Sequence, residues 1–192
     1  MTVIAAIKQN DIVYLGCDSL FMDSYKITTR VGKKIIVKGE LIFGITTTHT
    51  RIYQLLEHSL KLASTKNVKT DDLHGYLVTS FLPKFRKILD VQDLLQDDKE
   101  APSPSPMLIG VRNKLFELDV DFDISEIDTS YKAIGMGGDY ASGSLITSEI
   151  LQPTLPAEQR LLLALQTSGE FSCGVKGPFY IINTKDYTFV KN

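Results

Sequence analysis

Two short apolar runs open the chain, residues 3–7 and 12–17, and neither shows the polar alternation of a half-exposed strand. Strands of unbroken apolar character are covered on both faces. Gln9-Asn10 sits between the runs and supplies turn chemistry, so the pattern predicts a hairpin. A second hairpin is predicted over 34–37 and 41–46, turning at Lys38-Gly39-Glu40. The period then changes. Thr50 can cap a helix whose apolar face is Ile52, Leu55, Leu56, Leu60 and Leu62/Ala63. Thr70 or Asp71 can start another, carrying Leu73, Leu77, Phe81, Phe85 and Leu89, with Pro83 expected to kink or divide it.

Residues 91–106 are polar and rich in proline (Pro102, Pro104, Pro106). They read as an exposed loop inside one domain spanning 1–192, because the strand pattern beyond them is incomplete alone. A hairpin follows over 107–111 and 114–118, turning at Arg112-Asn113. Next come a strand at 131–134, the turn Gly135-Met136-Gly137-Gly138-Asp139, and a helix to about Ile150. A fourth helix is expected over 156–167, with Leu161, Leu162 and Leu165 buried, and strands at 179–182 and 187–190 close the chain. Strands, two helices, strands, two helices and strands make an α+β order. It implies two stacked sheets between helical layers.

Composition narrows the function. Hydrophobic residues make up 43 % of 192 and the formal net charge is −2, which suits a packed core and gives no nucleic-acid footprint. Lys33, Lys34 and Lys38 recur without interleaved aromatics that could stack bases. No apolar run reaches the roughly 18 residues of a membrane span. Without a basic leader at its start, and with only Cys17 and Cys173, the chain is expected to be a reduced cytoplasmic protein. His49, His58 and His74 are scattered, so neither a metal nor another cofactor is expected. A dinucleotide fingerprint fails at 135–140, where Tyr140 stands at the third glycine position. Gly-x-Ser-x-Gly is absent.

Three residues suggest chemistry together, though each alone has a plain structural reading. Thr2 would carry both a hydroxyl and a free α-amine once Met1 is trimmed. An α-amine titrates near about 7.7–8.0 and can serve as the hydroxyl's general base without any histidine. If the first hairpin turns at Gln9-Asn10, Thr2 faces Cys17 and Asp18 lies beside it. Strand alternation sends Lys33 and Lys34 to opposite faces, and an inward Lys34 needs a carboxylate partner, for which Asp18 is suitable. The ammonium would also depress the pKa of the Thr2 amine.

Thr2, Gly16-Cys17-Asp18, Gly32-Lys33-Lys34, Phe43-Gly44 and the run from Ala133 to Ala141 resemble proteasome β subunits and the bacterial peptidase HslV. The resemblance covers most of the chain and thins over 50–106. It implies a four-layer αββα sandwich, the N-terminal-nucleophile hydrolase fold. By it Thr2 would be nucleophile and base, and Asp18 and Lys34 the charge pair beside it. The Gly44 N–H would donate to the oxyanion. Glu170, within Thr167-Ser168-Gly169-Glu170, would be a supporting acid. The expected substrate is a peptide or unfolded protein, in a homo-oligomeric ring fed by an ATP-driven unfoldase. The chain departs from the pattern at Met136, where the family usually has a serine, and in a short hairpin at Lys38-Gly39. Two alternatives stand beside this reading: a non-catalytic ring or docking module, and an amidohydrolase acting on a small amide.

Overall fold

A computed structural model of the chain describes residues 2–23, 26–29, 34–47, 49–91, 96–98, 101–103 and 105–192. Gly32 and Lys33 of the resemblance, like Met1, lie outside the described residues. Two five-stranded antiparallel sheets form the centre. The first has the order β12 (Tyr131–Gly135), β1 (Val3–Gln9), β2 (Ile12–Cys17), β13 (Tyr180–Asn183) and β14 (Val190–Lys191). The second runs β11 (Ile124–Glu126), β10 (Lys114–Leu118), β9 (Met107–Val111), β6 (Leu41–Ile45) and β5 (Ile35–Lys38). A separate hairpin, β3 (Leu20–Asp23) with β4 (Lys26–Thr29), was not foreshadowed by the apolar pattern.

Alternation along β1 explains why its apolar run is unbroken. Val3, Ala5 and Ile7 pack against Leu145, Leu161 and Leu165, which lie on the helices α4 (Gly138–Leu151) and α5 (Ala157–Phe171). Ile4 and Ala6 point the other way, into a cluster with Ile35, Ile42 and Leu108 of the second sheet. The second sheet's other face meets α1 (Arg51–Ser59) and the helical segments between residues 70 and 91, through Phe43, Leu56, Leu77, Phe81 and Phe85. Both sheets are therefore buried on both faces, as their composition requires.

The first hairpin differs from expectation in register. Its turn is Asn10-Asp11, where both residues adopt positive φ (53° and 60°), the condition for a tight primed turn. Gln9 then pairs with Ile12, and Ile4, not Thr2, lies opposite Cys17. Thr50 precedes α1 but makes no side-chain capping bond, because its own backbone is already helical. Pro83 does not divide its helix. Leu73–Tyr76 (α2) leads through a π-helical turn, Leu77–Phe81, into Leu82–Val91 (α3). The wide turn lies just ahead of the proline, which has no N–H for the Thr79 carbonyl one turn back. Within 91–106, where a loop was expected, Gln96–Asp98 (β7) pairs with Ala101–Ser103 (β8). The remaining residues 92–95, 99–100 and 104 of that stretch are outside the described ones. Among the described residues no helix is long and apolar enough to cross a membrane.

Candidate active site

Thr2, Asp18 and Lys34 meet at one end of the sheet pair. Thr2 immediately precedes β1, Asp18 immediately follows β2, and Lys34 immediately precedes β5. All three are buried, with exposures of 1 %, 0 % and 1 %. The Lys34 ammonium donates to Thr2 Oγ1 at 2.8 Å and to both Asp18 carboxylate oxygens at 2.9 Å. An ammonium has three N–H groups, so these acceptors account for all of them. Asp18 in turn accepts from the Val3 N–H at 3.1 Å and the Leu20 N–H at 3.0 Å. Ser19 anchors this corner by donating its N–H to the Lys176 carbonyl at 3.1 Å. The register shift in the first hairpin is what brings Asp18 within reach of the Val3 N–H.

Burial pushes the Asp18 carboxyl above its ordinary 3.8, against the lowering pull of the Lys34 ammonium and the two N–H donors. Between 3.8 and that raised value the folded chain holds more protons than the unfolded one. Charging Asp18 therefore takes stability away as pH rises through that window.

The turn after β12 closes the site from the first sheet's edge. Gly135 adopts φ +89°, and a Cβ there would sit 2.4 Å from the Thr2 carbonyl oxygen, so backbone lies directly on backbone. The Gly137 N–H points at that same oxygen at 3.4 Å, while the Gly137 carbonyl accepts from Ser168 Oγ of α5 at 2.9 Å. Tyr53 of α1 approaches from the opposite side. Its hydroxyl donates to the Ile45 carbonyl at 2.9 Å. Burial pushes the Tyr53 phenol up, and the nearby Cys17 and Asp18 push in the same direction. Phe21 fills the space between, its ring edge-on to Tyr53 (6.2 Å, 83°) and 5.3 Å from the Lys34 nitrogen.

No family model and no curated protein matches the chain. Solved structures do. BPH from Thiobacillus denitrificans gives a TM-score of 0.75 at 18 % identity, covering 94 % of this chain and 96 % of that one. The same BPH has been solved in complex with epoxomicin. Eukaryotic HslV from Trypanosoma brucei gives 0.63 at 12 % identity, covering 94 % and 98 %. Anbu, an ancestral beta-subunit from Yersinia bercovieri, gives 0.69 at 14 % identity, covering 98 % and 86 %. The fold is proteasome-like.

On this proteasome-like frame two of the expected site residues stand apart from the cluster. Gly44 lies inside β6, paired with Leu108 and Ile35. The Ile45 N–H reaches the Lys34 carbonyl and the Thr46 N–H reaches the Pro106 carbonyl, so strand alternation directs the Gly44 N–H at Leu108. Its N–H is thus held in the sheet rather than offered to an oxyanion. The glycine is needed for a different reason: a Cβ would meet Ile4 Cγ2 at 2.7 Å across the inter-sheet core. Glu170 is exposed in the last turn of α5, because that helix runs on to Phe171 rather than ending at Thr167. Two residues earlier, buried Ser168 is the member of that segment that supports the Thr2 region. Met136 is 52 % exposed in the turn. Tyr53 carried no signal in the sequence beyond a place on a half-buried helix. Among the described residues no group of three or more His, Cys, Asp or Glu side chains is placed to hold a metal ion.

Proposed function

We propose that the chain is a threonine-type peptidase of the N-terminal-nucleophile class, a four-layer αββα sandwich that cleaves peptide bonds through an ester on Thr2. The observation that carries this reading is one buried ammonium, Lys34, bonded at once to the Thr2 hydroxyl and to both Asp18 oxygens. Removal of whatever precedes Thr2 exposes its α-amine. The neutral amine takes the Oγ1 proton, and Oγ1 attacks the amide carbonyl. The oxyanion needs a donor past the end of β6. Thr47 supplies the next N–H after the ladder, and among the described residues it has no backbone acceptor. Collapse passes the amine's proton to the leaving nitrogen. Water, deprotonated by the same amine, then hydrolyses the ester and restores the hydroxyl. Lys34 holds the amine's pKa down and favours charge building on Oγ1.

Intact-mass measurement of the purified protein tests the first step, and a peptide epoxyketone tests the second. The expected result is a chain beginning at Thr2 that gains one adduct on that residue, absent from Thr2→Ala. A processed chain that stays unlabelled across varied peptide probes overturns the peptidase and favours the non-catalytic docking module. Met136, exposed where the family usually has a serine, is the observation on that side. Labelling combined with turnover of small amides alone supports the amidohydrolase.

Protonation of the amine base sets a first acid limb, and a second, at lower pH, follows from Asp18. Protonating its raised carboxyl removes the charge that holds Lys34, so the rate falls on acidification at a pH above that of an exposed aspartate. Asp18→Asn lowers the rate and abolishes that limb. A wild-type rate that persists down to the ordinary carboxylate range contradicts it.

Assembly into a homo-oligomeric cytoplasmic ring, fed by an ATP-driven unfoldase, belongs to the same proposal. Support comes from the outward apolar side chains of α4 and α5: Ile146, Ile150, Leu151, Leu163 and Phe171 are all exposed. Light scattering is expected to give a multiple of the chain mass. A strict monomer at working concentration removes the ring.

A further inference from the structure

We infer that the cleft between α1 and α3 binds a medium-chain fatty acid, a single apolar tail ending in a carboxylate. Leu55 and Leu60 form its floor on one side and Ile88 on the other. Leu60 and Ile88 both pack on the core that holds Phe81 and Phe85, so the floor is an edge of that core left open to water. Three lysines stand round it, Lys61 just past the end of α1 and Lys84 and Lys87 on α3. No acid lines the cleft. Among the described residues none of these lysines has a salt bridge, whereas Lys34, Lys114 and Lys132 each pair with a carboxylate. Lys84 and Lys87 are three residues apart on one helix, a spacing at which like charges repel. Residues 51–90 carry seven Lys or Arg against four Asp or Glu, in a chain of net charge −2. An anion is drawn to this side of the molecule and relieves the repulsion there.

Size selects the tail. The cleft encloses about 410 Å³, towards the lower end of the roughly 300–1,000 Å³ of ligand sites, which is room for one tail and not two. A bare inorganic anion would leave the apolar floor uncovered. Lysine stems lie along apolar surface while their heads stay in water. A tail laid on Leu55, Leu60 and Ile88 therefore ends with its carboxylate among three ammonium groups. Exposed charges contribute little one by one, so the tail supplies most of the affinity and the lysines choose the sign of the head. Thr2, Asp18 and Lys34 take no part, and the site stands or falls separately from the peptidase reading.

Equilibrium dialysis against hexanoate, octanoate and decanoate, below their micelle-forming concentrations, tests the assignment. One decanoate per protein chain is expected, with affinity rising about two- to fourfold for each added methylene. Decanol and decyltrimethylammonium share the tail but lack the negative head, and should bind about tenfold more weakly. Lys61→Gln, Lys84→Gln and Lys87→Gln together replace exposed side chains and leave the core alone. That triple variant is expected to lose about tenfold for decanoate, the scale of three surface charges acting together, and nothing for decanol. A fatty acid carrying a diazirine in its tail should label peptides from α1 or α3. Absence of saturable decanoate binding overturns the inference. Wild-type affinity in the triple variant, or labelling confined to α4 and α5, does the same. An acidic peptide with an apolar end that binds where decanoate does not also overturns it, and assigns the cleft to a protein partner.

Discussion

Thr2→Ala is expected to abolish peptide hydrolysis, with a loss on the order of 10⁶-fold, the scale seen when a hydrolase loses its covalent nucleophile. Stability should barely change. The substitution removes one hydroxyl, and Lys34 keeps both Asp18 oxygens as acceptors at 2.9 Å. The missing bond is worth about 1 kcal/mol, or about 2–4 °C in Tm for a chain of this size. Thr2→Ser retains the hydroxyl and is expected to keep measurable turnover. The combination matters more than either number: an inactive, normally folded Thr2→Ala separates chemistry from architecture. Continued hydrolysis by a homogeneous Thr2→Ala preparation sinks the nucleophile assignment.

Lys34→Met is expected to damage both stability and activity. Methionine matches the length of the lysine stem but brings no charge. Asp18, with no measurable exposure, is then left with only the Val3 and Leu20 N–H groups. Breaking a buried ion pair by removing one partner costs about 3–5 kcal/mol, more than the pair itself is worth against apolar replacements. Asp18 escapes part of that penalty by taking up a proton. Its carboxyl already sits above 3.8 through burial, and losing the Lys34 cation removes the largest opposing pull. The variant should therefore regain stability as pH falls through the raised value, more steeply than the wild type. Urea unfolding at two pH values checks this. The double variant Lys34→Met with Asp18→Asn should recover part of the loss, because the stranded charge is gone. Equal stability of Lys34→Met and wild type at neutral pH contradicts the buried pair.

Much of this site was legible because strand logic needs few residues. Apolar runs at 3–7 and 12–17 demanded adjacent, doubly covered strands, which put the chain start next to residue 18 whichever register held. The register itself was not legible to the last residue. Gln9, Asn10 and Asp11 all suit a turn, and only the backbone shows that Asn10 and Asp11 take the positive φ values. Gly44 misled for a physical reason: a bare Cα serves equally where a substrate approaches and where Ile4 crosses between sheets. Glu170 depended on where α5 stops, and the helix continues past the point at which its apolar spacing fades. Tyr53 and Ser168 were hidden altogether. Each is set by how a whole helix docks on a sheet, and a hydroxyl on a half-buried face gives no sign of its partner.

Gly137 has one hand on each of two bodies, its carbonyl on α5 and its amide on Thr2. With Gly135 in direct backbone contact with Thr2, the turn has no slack to absorb movement. A sideways slip of the outer helix pair is consequently felt at Thr2, two hydrogen bonds away. The outer helix layer and the Thr2 corner are thereby geared together.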